Sequence, residues 1–178
     1  MWKKGITFGL IGGAIVVLSI LIPITLFSDV ELMSFTRTEL FGYTVMVVAL
    51  STIFFGIRSY RDQELGGRIT FGKALVMGLL IAAIAGALYT TGWMILSPPD
   101  FMEQYAQQYL ENLKSDGATE AEIQAAMEEI AQSVEMYKNP FFKAGITFME
   151  IFPVGLIISL ISALILKKTD ATPEKELA

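Results

Sequence analysis

Glu150 is the one charged residue within four long apolar stretches of this sequence, at residues 5–27, 40–57, 74–96 and 145–166. A carboxylate placed in hydrocarbon is costly and is by default a candidate for binding a proton, a cation or a ligand. Near the end of its stretch, the side chain could instead reach the headgroup layer and act as a structural glutamate bonded to neighbouring helices. The sequence leaves both interpretations open.

Other polar groups are predicted to lie at a similar depth. Pro153, one helical turn deeper than Glu150, lacks a backbone donor and frees a carbonyl oxygen. If each stretch crosses the membrane once, several hydroxyl groups of the other stretches lie at the depth of Glu150. These hydroxyl groups belong to Thr25, Tyr43, Thr44, Tyr89, Thr90 and Thr91. Together these residues predict a polar, partly hydrated pocket that opens outward and has Glu150 as its charged element.

Side chains suited to catalysis are otherwise scarce. Histidine and cysteine are absent, which excludes the commonest general base, thiol nucleophiles, disulfides and thiolate metal sites. Residues 67–74 approach a phosphate-binding loop, but Ala74 follows Lys73 where a hydroxyl is needed to hold magnesium. We therefore expect no enzyme, no catalytic residues, no cofactor, no metal, and no nucleotide or nucleic-acid partner.

The elements that position Glu150 are predicted to be transmembrane helices. A hydrocarbon layer of ~30 Å requires ~20 helical residues, which each stretch approximately supplies. The hydrophobic fraction of 53% is high for a water-soluble domain. We predict an all-α integral membrane protein with four transmembrane helices and the lipid bilayer as its main partner.

The basic residues predict the orientation of these helices. Short loops rich in lysine and arginine remain cytoplasmic. One side would carry Lys3, Lys4, Arg58, Arg61, Arg68, Lys73, Lys167, Lys168 and Lys175, and the other Arg37, Lys114, Lys138 and Lys143. We therefore expect a bacterial inner-membrane protein with both termini cytoplasmic, including a short tail at 167–178.

The connection at 97–139 is predicted to form an acidic, extracytoplasmic helical hairpin. Pro98 and Pro99 end the third span, and Thr119 with Glu122 matches a capping box at the start of a second helix. Its nine acidic residues lack the spacing of a calcium loop. They either form a solvated face or provide a docking surface for a protein partner or for cations.

Small residues recur at four-residue intervals in three of the spans, as expected where helices approach closely in lipid. The helix-packing candidates are Gly5, Gly9 and Gly13, then Gly78, Ala82 and Gly86, and finally Gly155 and Ser159. These stripes either pack within one bundle or leave one stripe for a homo-oligomer. The second span has few small residues and is expected at the periphery.

Two segments resemble a known family. Residues 55–74 read FGIRSYRDQELGGRITFGKA, and residues 148–167, which contain Glu150 and Pro153, read FMEIFPVGLIISLISALILK. These segments, together with Asn139-Pro140, resemble the bacterial domain-of-unknown-function 4199 family over nearly the whole chain. The resemblance implies a four-helix inner-membrane protein, and it supplies no activity, cofactor or site residue.

Three functional classes remain open. The first is a non-enzymatic scaffold or regulatory partner, supported by the acidic hairpin and by a stripe available for association. The second is a small transporter or channel component that uses Glu150 as a proton- or cation-linked site. The third, a membrane enzyme, is disfavoured because a single intramembrane acid gives little catalytic machinery.

Overall fold

The computed structural model describes residues 1–26 and 35–168, apart from the side chains of 22–26, 35–39 and 41. Seven helices form in this part of the chain, and they are α1 (Trp2–Leu26), α2 (Phe35–Leu50), α3 (Thr52–Glu64), α4 (Phe71–Leu96), α5 (Phe101–Ser115), α6 (Glu120–Tyr137) and α7 (Pro140–Leu166). Extended pairing among these residues is limited to an antiparallel bridge between Ile69 and Lys168. The prediction of an all-helical fold is confirmed for the described residues.

Four helical segments are long and apolar enough to cross a membrane, and they span Trp2–Leu21, Gly42–Glu64, Phe71–Leu96 and Pro140–Leu166. The third and fourth spans, α4 and α7, begin earlier than predicted, because the residue before each helix caps its first turn. The Thr70 side chain accepts a hydrogen bond from the Lys73 amide at the start of α4. The Asn139 side chain accepts one from the Phe141 amide at the start of α7, where Pro140 occupies the first helical position.

The second span consists of two helices, α2 and α3, which meet at Ser51. The Ser51 hydroxyl donates to the carbonyl of Val48 at 2.6 Å, a local bond that competes with the regular helical ladder. Leu50, Ile53 and Ile57 flank or follow this junction and are fully buried. The prediction that the second span lies at the periphery is wrong, since α3 packs against α1, α4 and α7.

The centre of the bundle is α4, which packs mainly against α1 and α7. The small residues of α1 receive branched side chains of α4, with Gly5 facing Leu80, Gly9 facing Ile84 and Gly13 facing Leu88. On the other side of α4, Gly78 faces Ser159, Gly86 faces Phe148 and Ile151, and Ala82 faces Gly155. All three stripes therefore pack within the chain, which favours the single-bundle interpretation.

The segment between α4 and α7 forms the helices α5 and α6, which pack against each other. The capping box is confirmed: the Thr119 hydroxyl accepts from the Glu122 amide, and the Glu122 carboxylate accepts from the Thr119 amide at 2.8 Å. Gly117 has φ +81, a conformation that L side chains rarely adopt, and it allows the turn before this cap.

The end of the bundle that holds the N-terminus is tied by polar contacts. The Met1 ammonium pairs with Glu64 at 2.9 Å, and the Lys4 ammonium donates to Gln63 at 2.6 Å. Arg61 donates to the carbonyl of Leu166 at 3.3 Å. These contacts join α1, α3 and α7 at the end remote from α5 and α6.

Candidate functional site

A cavity of about 640 Å³ lies between the α5–α6 pair and the adjoining ends of α4 and α7. Glu150 and Thr147 line it from α7, and Tyr89 and Trp93 line it from α4. The opposite wall comes from α5 and α6. A volume of this size is within the range of ordinary small-molecule sites, ~300–1,000 Å³.

Glu150, whose side chain is exposed, and Tyr89 form a polar contact at the cavity. The Tyr89 hydroxyl donates to Oε2 of Glu150 at 3.0 Å and so joins α4 to α7. Tyr89 is only 7% exposed, so the packed side chains around it restrict the movement of its hydroxyl group. Beside them, Thr147 is buried, and its hydroxyl donates to the carbonyl of Lys143 at 2.8 Å.

Aromatic rings make up much of the wall. On α5, Phe101, Tyr105 and Tyr109 recur every fourth residue, and their neighbouring ring centroids are 6.3 and 6.5 Å apart. Trp93 meets Phe101 edge to face, with the centroids 4.8 Å apart. The indole N–H of Trp93 donates to the Tyr137 hydroxyl at 2.6 Å. This bond holds the last residue of α6 against α4.

The charges at the cavity are mainly negative. Glu150 on α7 and Glu129 on α6 line it, and the described lining residues include no basic side chain. Lys143 lies nearby, with its ammonium 5.2 Å from the centroid of the Tyr137 ring and donating to the Ser97 hydroxyl at 2.6 Å. Burial raises the pKa of Tyr137, and the Glu150 carboxylate adds to that rise against the opposing hydrogen bond from Trp93. Tyr137 therefore remains a neutral phenol at ordinary pH.

Beyond Glu150, toward the opposite end, the bundle is tightly filled. Ile151 and Ala85 are 1% and 0% exposed, and Leu50, Ile53 and Ile81 are each 0% exposed. These apolar side chains come from three different spans. The cavity is consequently closed beneath Glu150.

The structure separates the predicted pocket residues. Thr44 and Thr91 are exposed on the outside of the bundle, and their hydroxyls donate to the carbonyls of Leu40 and Ala87. Pro153 lies inside α7, half-buried and away from the described cavity lining. The Thr90 hydroxyl is buried without a hydrogen-bond partner among the described residues. The Thr25 side chain lies outside the described residues.

The cavity therefore differs from the predicted pocket in its composition. Among the described hydroxyl-bearing residues expected beside Glu150, Tyr89 donates a hydrogen bond to it. The wall from α5 and α6, including Glu129, was not predicted. The sequence feature that could have indicated this wall is the four-residue spacing of Phe101, Tyr105 and Tyr109. The same spacing also fits the contact face between the two helices of a hairpin.

The described residues offer no cluster of three acidic side chains able to hold a metal ion. Comparison with known families gives a match to the family described as "Protein of unknown function (DUF4199)" over residues 7–168. No curated protein and no solved structure matches the chain.

Proposed function

Because the chain belongs to the DUF4199 family of unknown function, we propose its function from the cavity: it is a non-enzymatic membrane protein that binds a small ligand and acts as a regulatory or scaffolding partner. The observation that carries this proposal is a cavity of about 640 Å³ that is open beside α5 and α6 and closed beneath Glu150. A closed floor suits binding better than passage.

The location we propose is the bacterial inner membrane, with both termini cytoplasmic and the cavity on the outer side. The support comes from the lysine and arginine residues, which concentrate at the end of the bundle remote from the cavity. A ligand would then enter from the extracytoplasmic side or from the outer leaflet.

The regulatory role would depend on the α5–α6 pair. These helices form one wall of the cavity and also carry exposed acids on their outer surface, among them Glu111, Glu120 and Glu135. Movement of this wall on ligand binding would change the acidic surface that a protein partner contacts. A homo-oligomer would need a surface other than the glycine stripes, which pack within the bundle.

A transporter or channel component is the second candidate, and the observation that favours it is a carboxylate facing the cavity inside a predicted span. Transport would require the packed side chains around Ile81 and Leu50 to separate. The two candidates therefore differ in whether the core ever becomes accessible from the cytoplasmic side.

Cysteine labelling tests this difference, because the chain has no native cysteine. Ser133→Cys places a thiol in the cavity wall, and Ser159→Cys places one in the fully buried core. We expect a membrane-impermeant maleimide to modify position 133 from the outer side, while position 159 stays protected from both sides in folded protein. Labelling of position 159 from the cytoplasmic side would favour transport, and protection of both positions would contradict the proposal.

A further inference from the structure

We infer that the ligand of the cavity is an organic cation, an alkylated ammonium group held between aromatic rings and carboxylates. This inference rests on the proposed function, because it names the chemistry of the ligand that the cavity takes. Three features carry it, namely the sign of the charges, the aromatic surface and the limited supply of oxygen ligands.

The charges favour a cation. Glu150 enters from the floor on α7, Glu129 enters from the wall on α6, and the described lining residues include no basic side chain. Both side chains are exposed to this cavity. Two carboxylates facing one cavity repel an anionic ligand, and a positive charge between them is attracted to both. An anion is therefore a poor occupant.

The aromatic surface favours an alkylated ammonium over a bare metal ion. The faces of Trp, Tyr and Phe rings attract cations and are used to bind quaternary ammonium ligands. Trp93, Phe101, Tyr105 and Tyr137 line this cavity, and their rings can also pack against alkyl groups. Calcium and magnesium instead require several oxygen ligands, which two separated carboxylates and a few hydroxyls do not provide.

The chain already places one ammonium group on this aromatic surface. The Lys143 ammonium lies 5.2 Å from the centroid of the Tyr137 ring, inside the usual range for a cation–π contact. Tyr137 is itself half-buried and bonded to Trp93 at 2.6 Å. One ring of the cavity wall, that of Tyr137, therefore already contacts an ammonium group, and the acids Glu150 and Glu129 extend that preference into the cavity.

The test is a binding titration that separates charge from shape. Trp2→Phe leaves Trp93 as the single tryptophan, so its fluorescence reports on the cavity. The full-length protein is placed in phosphatidylglycerol nanodiscs and titrated with choline, and separately with 3,3-dimethyl-1-butanol, the neutral isostere of choline. We expect a saturable change with choline and at least tenfold weaker binding of the isostere.

Charge-neutral variants locate the cation. Glu150→Gln should weaken choline binding about tenfold, because one of the two carboxylates that attract the cation is lost, and Glu129→Gln should weaken it by a smaller factor. Glu128→Gln, on the same helix but outside this cavity, is the matched control and should leave the affinity unchanged. Circular dichroism and elution volume confirm that each variant is folded.

Two sources of the ligand are distinguished by the lipid. If the ammonium group belongs to a phospholipid headgroup, nanodiscs containing phosphatidylethanolamine should compete with choline and weaken its apparent affinity. If it belongs to a soluble amine, the affinity is the same in both lipids. Either result supports an organic-cation site.

The contrary outcomes separate this inference from the proposed function. Equal binding of choline and its neutral isostere overturns the cation assignment and leaves a ligand-binding cavity in place. Choline binding unaffected by both Glu150→Gln and Glu129→Gln in folded protein also overturns it. Absence of any response to either compound, together with protection of Ser133→Cys from labelling, would remove the binding function itself.

Discussion

Gly155→Ala should destabilise the bundle, because Gly155 is the point where α7 lies closest to Ala82 of α4. A methyl group on Gly155 would stand 2.7 Å from the Cβ of Ala82, whereas carbon atoms in contact are ordinarily ~3.5–4.0 Å apart. The two helices would therefore have to separate locally by roughly 1 Å. Overpacking of this kind costs ~1–3 kcal/mol, against a gain of ~0.5–1 kcal/mol for replacing a helical glycine by alanine.

The matched control lies on the same helix. A methyl group on Gly145 would have no neighbouring atom of the described residues within 4 Å, so Gly145→Ala should be neutral or slightly stabilising. Free energies of unfolding are measured by titrating dodecylmaltoside micelles with sodium dodecyl sulfate, with helix content followed by circular dichroism.

A second-site change tests whether the clash itself is responsible. Replacing Ala82 by Gly removes the opposing Cβ, so the double variant Gly155→Ala/Ala82→Gly should recover stability relative to the sum of the two single changes. Equal stability of Gly155→Ala and Gly145→Ala, or a double variant with no recovery, would refute the close α4–α7 contact.

Three further outcomes are expected. Thr119→Ala should cost ~1 kcal/mol in α6 through loss of the cap, seen as faster amide hydrogen exchange over residues 120–124, and unchanged exchange there would contradict the cap. Hydrogen bonds from the Thr119 amide and hydroxyl hold the pKa of Glu122 below its usual 4.5, so this protection should be present above pH 4.5 and should fall as pH drops through the lower folded-state value. A protection factor, taken relative to the unfolded chain at the same pH, that does not change with acid would argue against the bond. Tyr89→Phe, which removes the donor to Glu150, should lower the free energy of unfolding by about 1 kcal/mol, and a variant as stable as wild type would show that this bond contributes little.

The spans and the cap could be predicted because each depends on local sequence. Long uncharged stretches predict helices that can cross a membrane, and Thr119 with Glu122 specifies its cap within one helical turn. The small-residue stripes also indicated close contacts, although the sequence could not say which helices meet. Pairing of Gly155 with Ala82, for example, depends on the relative rotation of α4 and α7.

The place of the second span could not be predicted from small residues alone. That criterion finds points of closest backbone approach. The second span instead fills the core with large side chains, namely Leu50 at the end of α2 and Ile53 and Ile57 of α3. Expected depth was likewise a weak guide to the site, because the side chains of Thr44 and Thr91 are exposed and do not line the cavity. The rotation of each helix decides which side chains meet.

The aromatic wall was hidden for a related reason. A face with Tyr105 and Tyr109 reads equally well as the seam between two short helices. Only the docking of α5 and α6 onto α4 and α7 brings Trp93 and Tyr137 together and places that face above Glu150. Because α5, α6 and Glu150 line one cavity, neither a deletion of α5–α6 nor a replacement of Glu150 would by itself separate a scaffold from a transporter.

Occupancy of the cavity is tested most directly by ligand protection at a defined position. The labelling rate of Ser133→Cys by an impermeant maleimide is measured with and without saturating choline, beside Glu128→Cys on the same helix but outside the cavity. We predict that choline slows labelling at position 133 and leaves position 128 unchanged. Equal rates with and without choline at both positions would contradict an organic-cation site between α5–α6 and Glu150.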